Sequence, residues 1–184
     1  MPNSAHFAGK YGDGLVTVGS EEPETYREIL ENFEAGARHA GQDPTLMPRM
    51  VELAVAYTDD EASAIEYRKK YWAGPFVPAL FTERIYTRKM AEENDKAVGA
   101  EVIKEAVCIS ADAKDHIKLA QHYIDMGFDN LIFHSADPDQ RRFLETYSHE
   151  MLPRLREARK SKSDDAPALK PSQPDQHFID ERNP

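Results

Sequence analysis

Apolar positions along this chain switch between two periods. Residues 3–11 read as a short helix, and Gly12-Asp13-Gly14 turns the chain into Leu15-Val16-Thr17-Val18, a first strand. Ser20 is placed to cap a helix with Pro23 in its opening turn; Tyr26, Ile29, Leu30, Phe33 and Ala37 then recur at helical spacing until Gly41. Asp43-Pro44 marks a loop. From Arg49 to Tyr57 the period becomes two, with Val51, Leu53, Val55 and Tyr57 on one strand face. Thr58-Asp59-Asp60-Glu61 predicts a capping box for a helix running towards Tyr71.

The stretch from Trp72 to Val107 breaks this rhythm with Gly74-Pro75, Pro78 and an irregular polar run, and predicts an insertion. Regularity returns at Ser110 or Asp112, either of which can cap a helix carrying Ile117, Ala120, Tyr123 and Ile124 and ended by Gly127. The segment from Gly127 to Leu144 carries the most information. Phe128 to Phe133 predicts a third strand, whose unbroken Leu131-Ile132-Phe133 suits a strand covered on both faces. Asp137 is expected to cap the last helix with Pro138 in first position, leaving His134 and Ser135 at the strand's C-terminal end. That helix buries Phe143, Leu144, Tyr147, Met151, Leu152 and Leu155, and Pro153 is expected to bend it. Residues 159–184, rich in Lys, Ser, Asp, Pro and Gln, are expected to form a disordered polar tail.

Strand-helix, strand-helix, insertion, strand-helix defines an α/β chain with a parallel sheet. About three parallel strands do not make a comfortable sheet, because both outer edges leave backbone groups unpaired. A closed (β/α)8 barrel needs eight strands and typically about 250 residues. Residues 1–158, with the insertion at about 72–107, therefore read as the C-terminal part of a (β/α)8 TIM barrel.

Composition narrows the function classes. The 184 residues carry a net charge of −10 and no basic stripe, which argues against nucleic acid or an anionic membrane as partner. No apolar run approaches the roughly 20 residues of a spanning helix. The start, Met1 to His6, has neither the basic nor the apolar segment of a signal peptide. With Cys108 as the single cysteine, no intrachain disulfide forms, and a cytoplasmic location is expected. Cys108 follows Val107 in apolar surroundings and reads as a quiet thiol.

Gly9-Lys10-Tyr11-Gly12-Asp13-Gly14-Leu15-Val16-Thr17 resembles the strand-leading segment of the bacterial luciferase-like barrel superfamily. Phe133-His134-Ser135, Asp139 to Leu144 and Leu152-Pro153-Arg154-Leu155 resemble the closing strand and helix of its deazaflavin (coenzyme F-420) dependent branch, which contains glucose-6-phosphate dehydrogenases. Tyr71-Trp72-Ala73, Val51-Glu52-Leu53 and Ser110-Ala111-Asp112 fit in order and spacing. The resemblance implies hydride transfer between a small-molecule substrate and coenzyme F-420, with a flavin-mononucleotide (FMN) monooxygenase as the alternative. It places the acid/base groups on early strands that this chain lacks, so no catalytic residue is assigned here. The partner is then a separate N-terminal half chain; a non-catalytic half-barrel that dimerises is the rival from another class, and a homo-oligomer is expected.

By the same resemblance, Asn3 and Ser4 sit where the cofactor-phosphate loop meets a helix, with ordinary helix capping as the plainer reading. Thr17 and Val18, with Gly19, lie at a strand end that faces the barrel pocket, as does His134, which either lines the pocket or orients another group. Glu21 fits better as an acidic helix start. The positions that grip sugar phosphate in the glucose-6-phosphate branch hold Glu21, Thr82 and Ala106 here, so a less anionic substrate, an alcohol or carbonyl compound, is expected. Glu52 interrupts an apolar strand and predicts a salt bridge. Trp72, Tyr71, Phe76, Phe81 and Tyr86 either line a pocket or pack. Glu145 and His149 form a surface pair at helical spacing without a third metal ligand, and no metal is expected.

Overall fold

The computed structural model describes residues 2–19, 23–72 and 98–163, with isolated positions 87, 89, 90 and 93. Helix α1 (Pro2–Tyr11) leads into β1 (Leu15–Val18), then α2 (Pro23–His39) and a short 3-10 turn capped by Asp43. Strand β2 (Arg49–Ala56) is followed by α3 (Glu61–Trp72). After the insertion come α4 (Ala100–Ala106), the short β3 (Cys108–Ile109), α5 (Ala113–Met126) and β4 (Asn130–Ser135). Helix α6 (Gln140–Thr146), a π-helical turn (Tyr147–Met151) and α7 (Leu152–Ser163) are the last described elements. Ser20 and Glu21 lie outside the described residues, as do Phe76, Phe81, Thr82, Tyr86 and residues 164–184.

Local chemistry fixes the element ends. Gly41 (φ 75°), two residues past α2, and Gly127 (φ 107°), directly after α5, each take the left-handed conformation. Gln42 N donates to Ala37 O and Gly41 N to Arg38 O, the pattern of a Schellman turn; Phe128 N to Tyr123 O and Gly127 N to Ile124 O repeat it after α5. Caps follow geometry more than sequence order. Asp60 Oδ1 accepts the Ser63 amide, so Asp60 caps α3, while Thr58 Oγ1 only supports the Asp60 amide. Asp112 caps α5 by accepting from Lys114 N. Asp139, not the expected Asp137, caps α6: Asp137 Oδ1 is occupied by the Asp139 amide, and Asp139 Oδ1 accepts from Arg142 N.

Among the described residues the sheet has four strands, one more than the pattern predicted, and every pairing is parallel. β2 is central. Val51 pairs with both Thr17 and Leu131, and Val55 with both Cys108 and Ser135. Each β2 residue has two edges, so β4 occupies one and β1 and β3 share the other in succession. The two-residue β3 carries no periodicity that a sequence can show.

Side chains alternate between two unlike faces. Leu15, Val51, Leu53, Leu131 and Phe133 point into a core with Tyr26 and Phe33 of α2 and Tyr123 of α5. Val55 and Phe133 also meet Phe143, Tyr147 and Met151. α1 lies so tightly on α2 that an added Cβ at Gly9 or Gly36 meets backbone oxygen at 1.9 or 2.1 Å. Among the described residues the opposite face is covered at the end of β2, where Ala54 and Ala56 pack under α3 and α4 with Ala64, Ile103 and Val107, and at His134, where Arg68 and Trp72 of α3 lie. Elsewhere it is bare: Val16, Val18 and Ile132 are 61%, 53% and 43% exposed. A strip of three apolar side chains on one sheet face, flanked by the outer edges of β1 and β4, is how an opened barrel lumen looks.

The chain takes a π-helical turn immediately before the segment that holds Pro153. The Leu152 amide bonds to Tyr147 O, five residues back, which absorbs the missing proline N–H as a π-bulge. α7 runs to Ser163, beyond the boundary at 158 expected from the sequence.

Candidate functional site

Polar groups gather where the C-terminal halves of β2 and β4 meet α3. The register sets Glu52 opposite Ile132 and Ala54 opposite His134, so Glu52 and His134 are diagonal neighbours on the bare face. α3 brings in its own residues through an i, i+4, i+8 line of Ala64, Arg68 and Trp72. Arg68 is buried at 5% exposure, and its Nη1 donates to His134 Nδ1 at 2.9 Å. Glu52 Oε1 lies 3.9 Å from the same nitrogen. The Trp72 ring sits 4.5 Å from the imidazole at 47°.

This geometry settles the state of the histidine. A guanidinium has only donors, so Nδ1 must accept and the ring proton must sit on Nε2. Burial pushes His134 below its ordinary value, the Arg68 charge lowers it further, and Glu52 opposes both. Burial also draws Arg68 down to about 10, against Glu52, which still leaves it cationic at neutral pH. The buried cation is therefore balanced by a carboxylate and held by the imidazole.

A cleft of about 350 Å³ opens beside the cluster, lined by Tyr71, Trp72, His134, Asp137, Pro138 and Gln140. Its floor is a tight loop: Ser135 Oγ accepts from Asp137 N at 3.2 Å, and Gln140 Nε2 donates to Ser135 O at 3.2 Å and also to Asp137 O. The cleft stands at the C-terminal ends of parallel strands, where α/β folds place their chemistry.

The structure brings some of the expected residues together and separates others. Val18 and His134 share the bare face. Thr17 falls on the same side as Leu15, towards the helices. Asn3 and Ser4 are exposed in the first turn of α1. Ala106 ends α4. Arg68 was missed in the sequence; its signal is an arginine in the α3 stripe between Ala64 and Trp72. Among the described residues no group of three or more His, Cys, Asp or Glu could hold a metal. His149 Nδ1 instead lies 2.8 Å from the Glu145 carbonyl oxygen.

Fold and site together define an arc of a (β/α)8 barrel with a polar cleft at its strand ends. The family model described as luciferase-like monooxygenase matches residues 1–133, well over half of the sequence, and the chain belongs to that family. F420-dependent glucose-6-phosphate dehydrogenase of Mycolicibacterium gilvum (strain PYR-GCK) is 30% identical over 156 residues, covering 84% of this chain and 46% of that protein. A second such enzyme, from Rhodococcus jostii (strain RHA1), is 31% identical over 159 residues with the same coverage. Among solved structures, an F420-dependent secondary alcohol dehydrogenase in complex with an F420-acetone adduct superposes with TM-score 0.74 at 30% identity, over 84% of this chain and 46% of that one. The tetrahydromethanopterin reductase of Methanopyrus kandleri shares the fold, with TM-score 0.61 at 21% identity. The chain spans about half the length of the curated relatives it matches.

Proposed function

We propose that this chain is the closing arc of a deazaflavin-dependent oxidoreductase that passes a hydride between coenzyme F-420 and an organic alcohol or carbonyl compound. The observation that carries this reading is the match to half of the F420-dependent secondary alcohol dehydrogenase, together with the bare strip of Val16, Val18 and Ile132 where that barrel continues. An opening arc, not among the residues of this sequence, covers the strip and brings the hydride-handling groups.

The residues present fit the coenzyme as a partial cradle. Val18 and Ile132 offer an apolar wall for a flat ring, and Asn3 and Ser4 stand in the first turn of α1, the helix end that favours a phosphate. Bound there, a deazaflavin supplies the hydride chemistry itself. This chain's part is to exclude water from the closed lumen and to orient the substrate from the cleft beside His134.

Glucose 6-phosphate does not suit the cleft. Asp137 lines it, and the Arg68 charge is already spent on His134 and Glu52. An acidic wall repels a dianion.

The test titrates coenzyme F-420 into this chain alone and into this chain mixed with a separately made opening arc, following deazaflavin fluorescence. Saturable binding to the mixture supports the reading. Equal or absent binding in both samples overturns it, and tighter binding of FMN assigns the barrel to the monooxygenase alternative.

A further inference from the structure

We infer that His134 is a specificity residue: it presents a fixed Nε2–H donor into the cleft to bind the oxygen of an uncharged carbonyl or alcohol, and Arg68 is the positioning residue that fixes it. The inference rests on the reading that the cleft takes the substrate, and it names the recognising group.

Three observations converge. The Arg68 to Nδ1 bond at 2.9 Å leaves Nε2 as the protonated nitrogen, and among the described residues Nε2 has no hydrogen-bond partner. Trp72, tilted on the ring at 4.5 Å, blocks rotation about the side chain. The loop bonds from the Asp137 amide to Ser135 Oγ and from Gln140 Nε2 to Ser135 O anchor the strand end that carries the histidine.

The charges select the ligand. A neutral imidazole has one proton to offer and no charge to attract an anion. Glu52 balances Arg68 from the next register pair, and Asp137 adds a negative wall. Tyr71, Trp72 and Pro138 leave an apolar lining for an alkyl group beside the bound oxygen. A site built around one donor discriminates strongly against analogues lacking the acceptor.

The test uses the full chain without coenzyme, labelled with ¹⁵N in its imidazoles, and reads tautomers by nuclear magnetic resonance. Acetone, 2-propanol and inorganic phosphate are the probes. His134→Asn keeps an acceptor near Nδ1 for Arg68 but removes the outward donor; His134→Gln keeps an N–H near Nε2 but loses the Nδ1 acceptor. The expected result at pH 7 is an Nε2-protonated ring whose N–H signal moves with acetone and 2-propanol but not with phosphate. Acetone binding should weaken about tenfold in H134N, the loss of one hydrogen bond, and fall less in H134Q. An Nδ1-protonated or doubly protonated ring, an N–H signal indifferent to acetone, preference for phosphate, or unchanged binding in H134N each overturns the inference. None of these outcomes depends on the opening arc, so failure here is separable from failure of coenzyme binding.

Discussion

Removing the hydroxyl of Tyr147 tests how the outer helices hold the sheet. His116 on α5 is completely buried, and its Nε2 lies 2.9 Å from the Ser110 carbonyl, which can only accept. Nδ1 is therefore a bare acceptor, satisfied by the Tyr147 hydroxyl at 2.7 Å. Ser110 in turn bonds across to β2 through its amide to Ala56 O and its carbonyl from Thr58 N, so the chain of bonds ties the last helices to the central strand. Tyr147→Phe keeps the ring contacts with Phe133 at 5.0 Å and Phe143 at 4.5 Å. What is lost is one buried polar pair, leaving an acceptor unpaired at a cost of about 1–3 kcal/mol. For a chain of this length each kcal/mol lowers the melting temperature by roughly 2–4 °C. Urea unfolding followed by circular dichroism measures the change. The same substitution in a His116→Leu background should cost at least about 0.5 kcal/mol less, because the acceptor is already gone. A Tyr147→Phe loss below about 0.3 kcal/mol, or an equal loss in both backgrounds, refutes the network.

Acidification should destabilise the fold. Burial holds both His116 and His134 below the ordinary histidine value, near 6.5 in an unfolded chain, so below that pH the unfolded state binds more protons. Stability should fall as pH drops through about 6.5, with a shallower slope in His116→Leu; identical slopes in the two proteins contradict this. Gly36→Ala drives a Cβ to 2.1 Å from the His6 carbonyl oxygen, backbone that cannot swing aside. It should cost about 2–3 kcal/mol and speed amide exchange throughout α1, whereas native exchange in α1 refutes the close approach. Cys108, its thiol pushed by burial to about 11, should react with a disulfide reagent at pH 8 far more slowly in the folded chain than in urea. Equal rates in the two states contradict its placement.

Where one face is buried and the other is not, the sequence was readable. α2, β2 and α5 stand within about two residues of the predicted positions because single-sided burial writes its period into Ile29, Phe33, Val51 and Leu53. β4 showed itself through its unbroken apolar run, but with Ile132 43% exposed it is covered on one face, not on both as that run suggested. Gly41 and Gly127 announced the helix ends for a steric reason. β3 and α4 stayed hidden because they pair and pack with remote segments and are too short to show periodicity. The caps misled because acidic residues crowd each helix start, and only the folded backbone decides between Asp137 and Asp139. His134 was legible from its place at a strand end. Arg68 was not, since its role exists only once α3 lies across β2 and β4.

The central claim is that this sheet is an arc whose bare strip belongs inside a larger barrel. Sedimentation velocity of the chain mixed with a separately made opening arc, beside the variant Val18→Asp, tests it directly. Val18 is half exposed, so the substitution should leave the unfolding of the chain itself unchanged. The native chain should form a one-to-one complex that the aspartate abolishes. A native chain that stays alone or pairs only with itself, or a variant that assembles as well as the native protein, contradicts it.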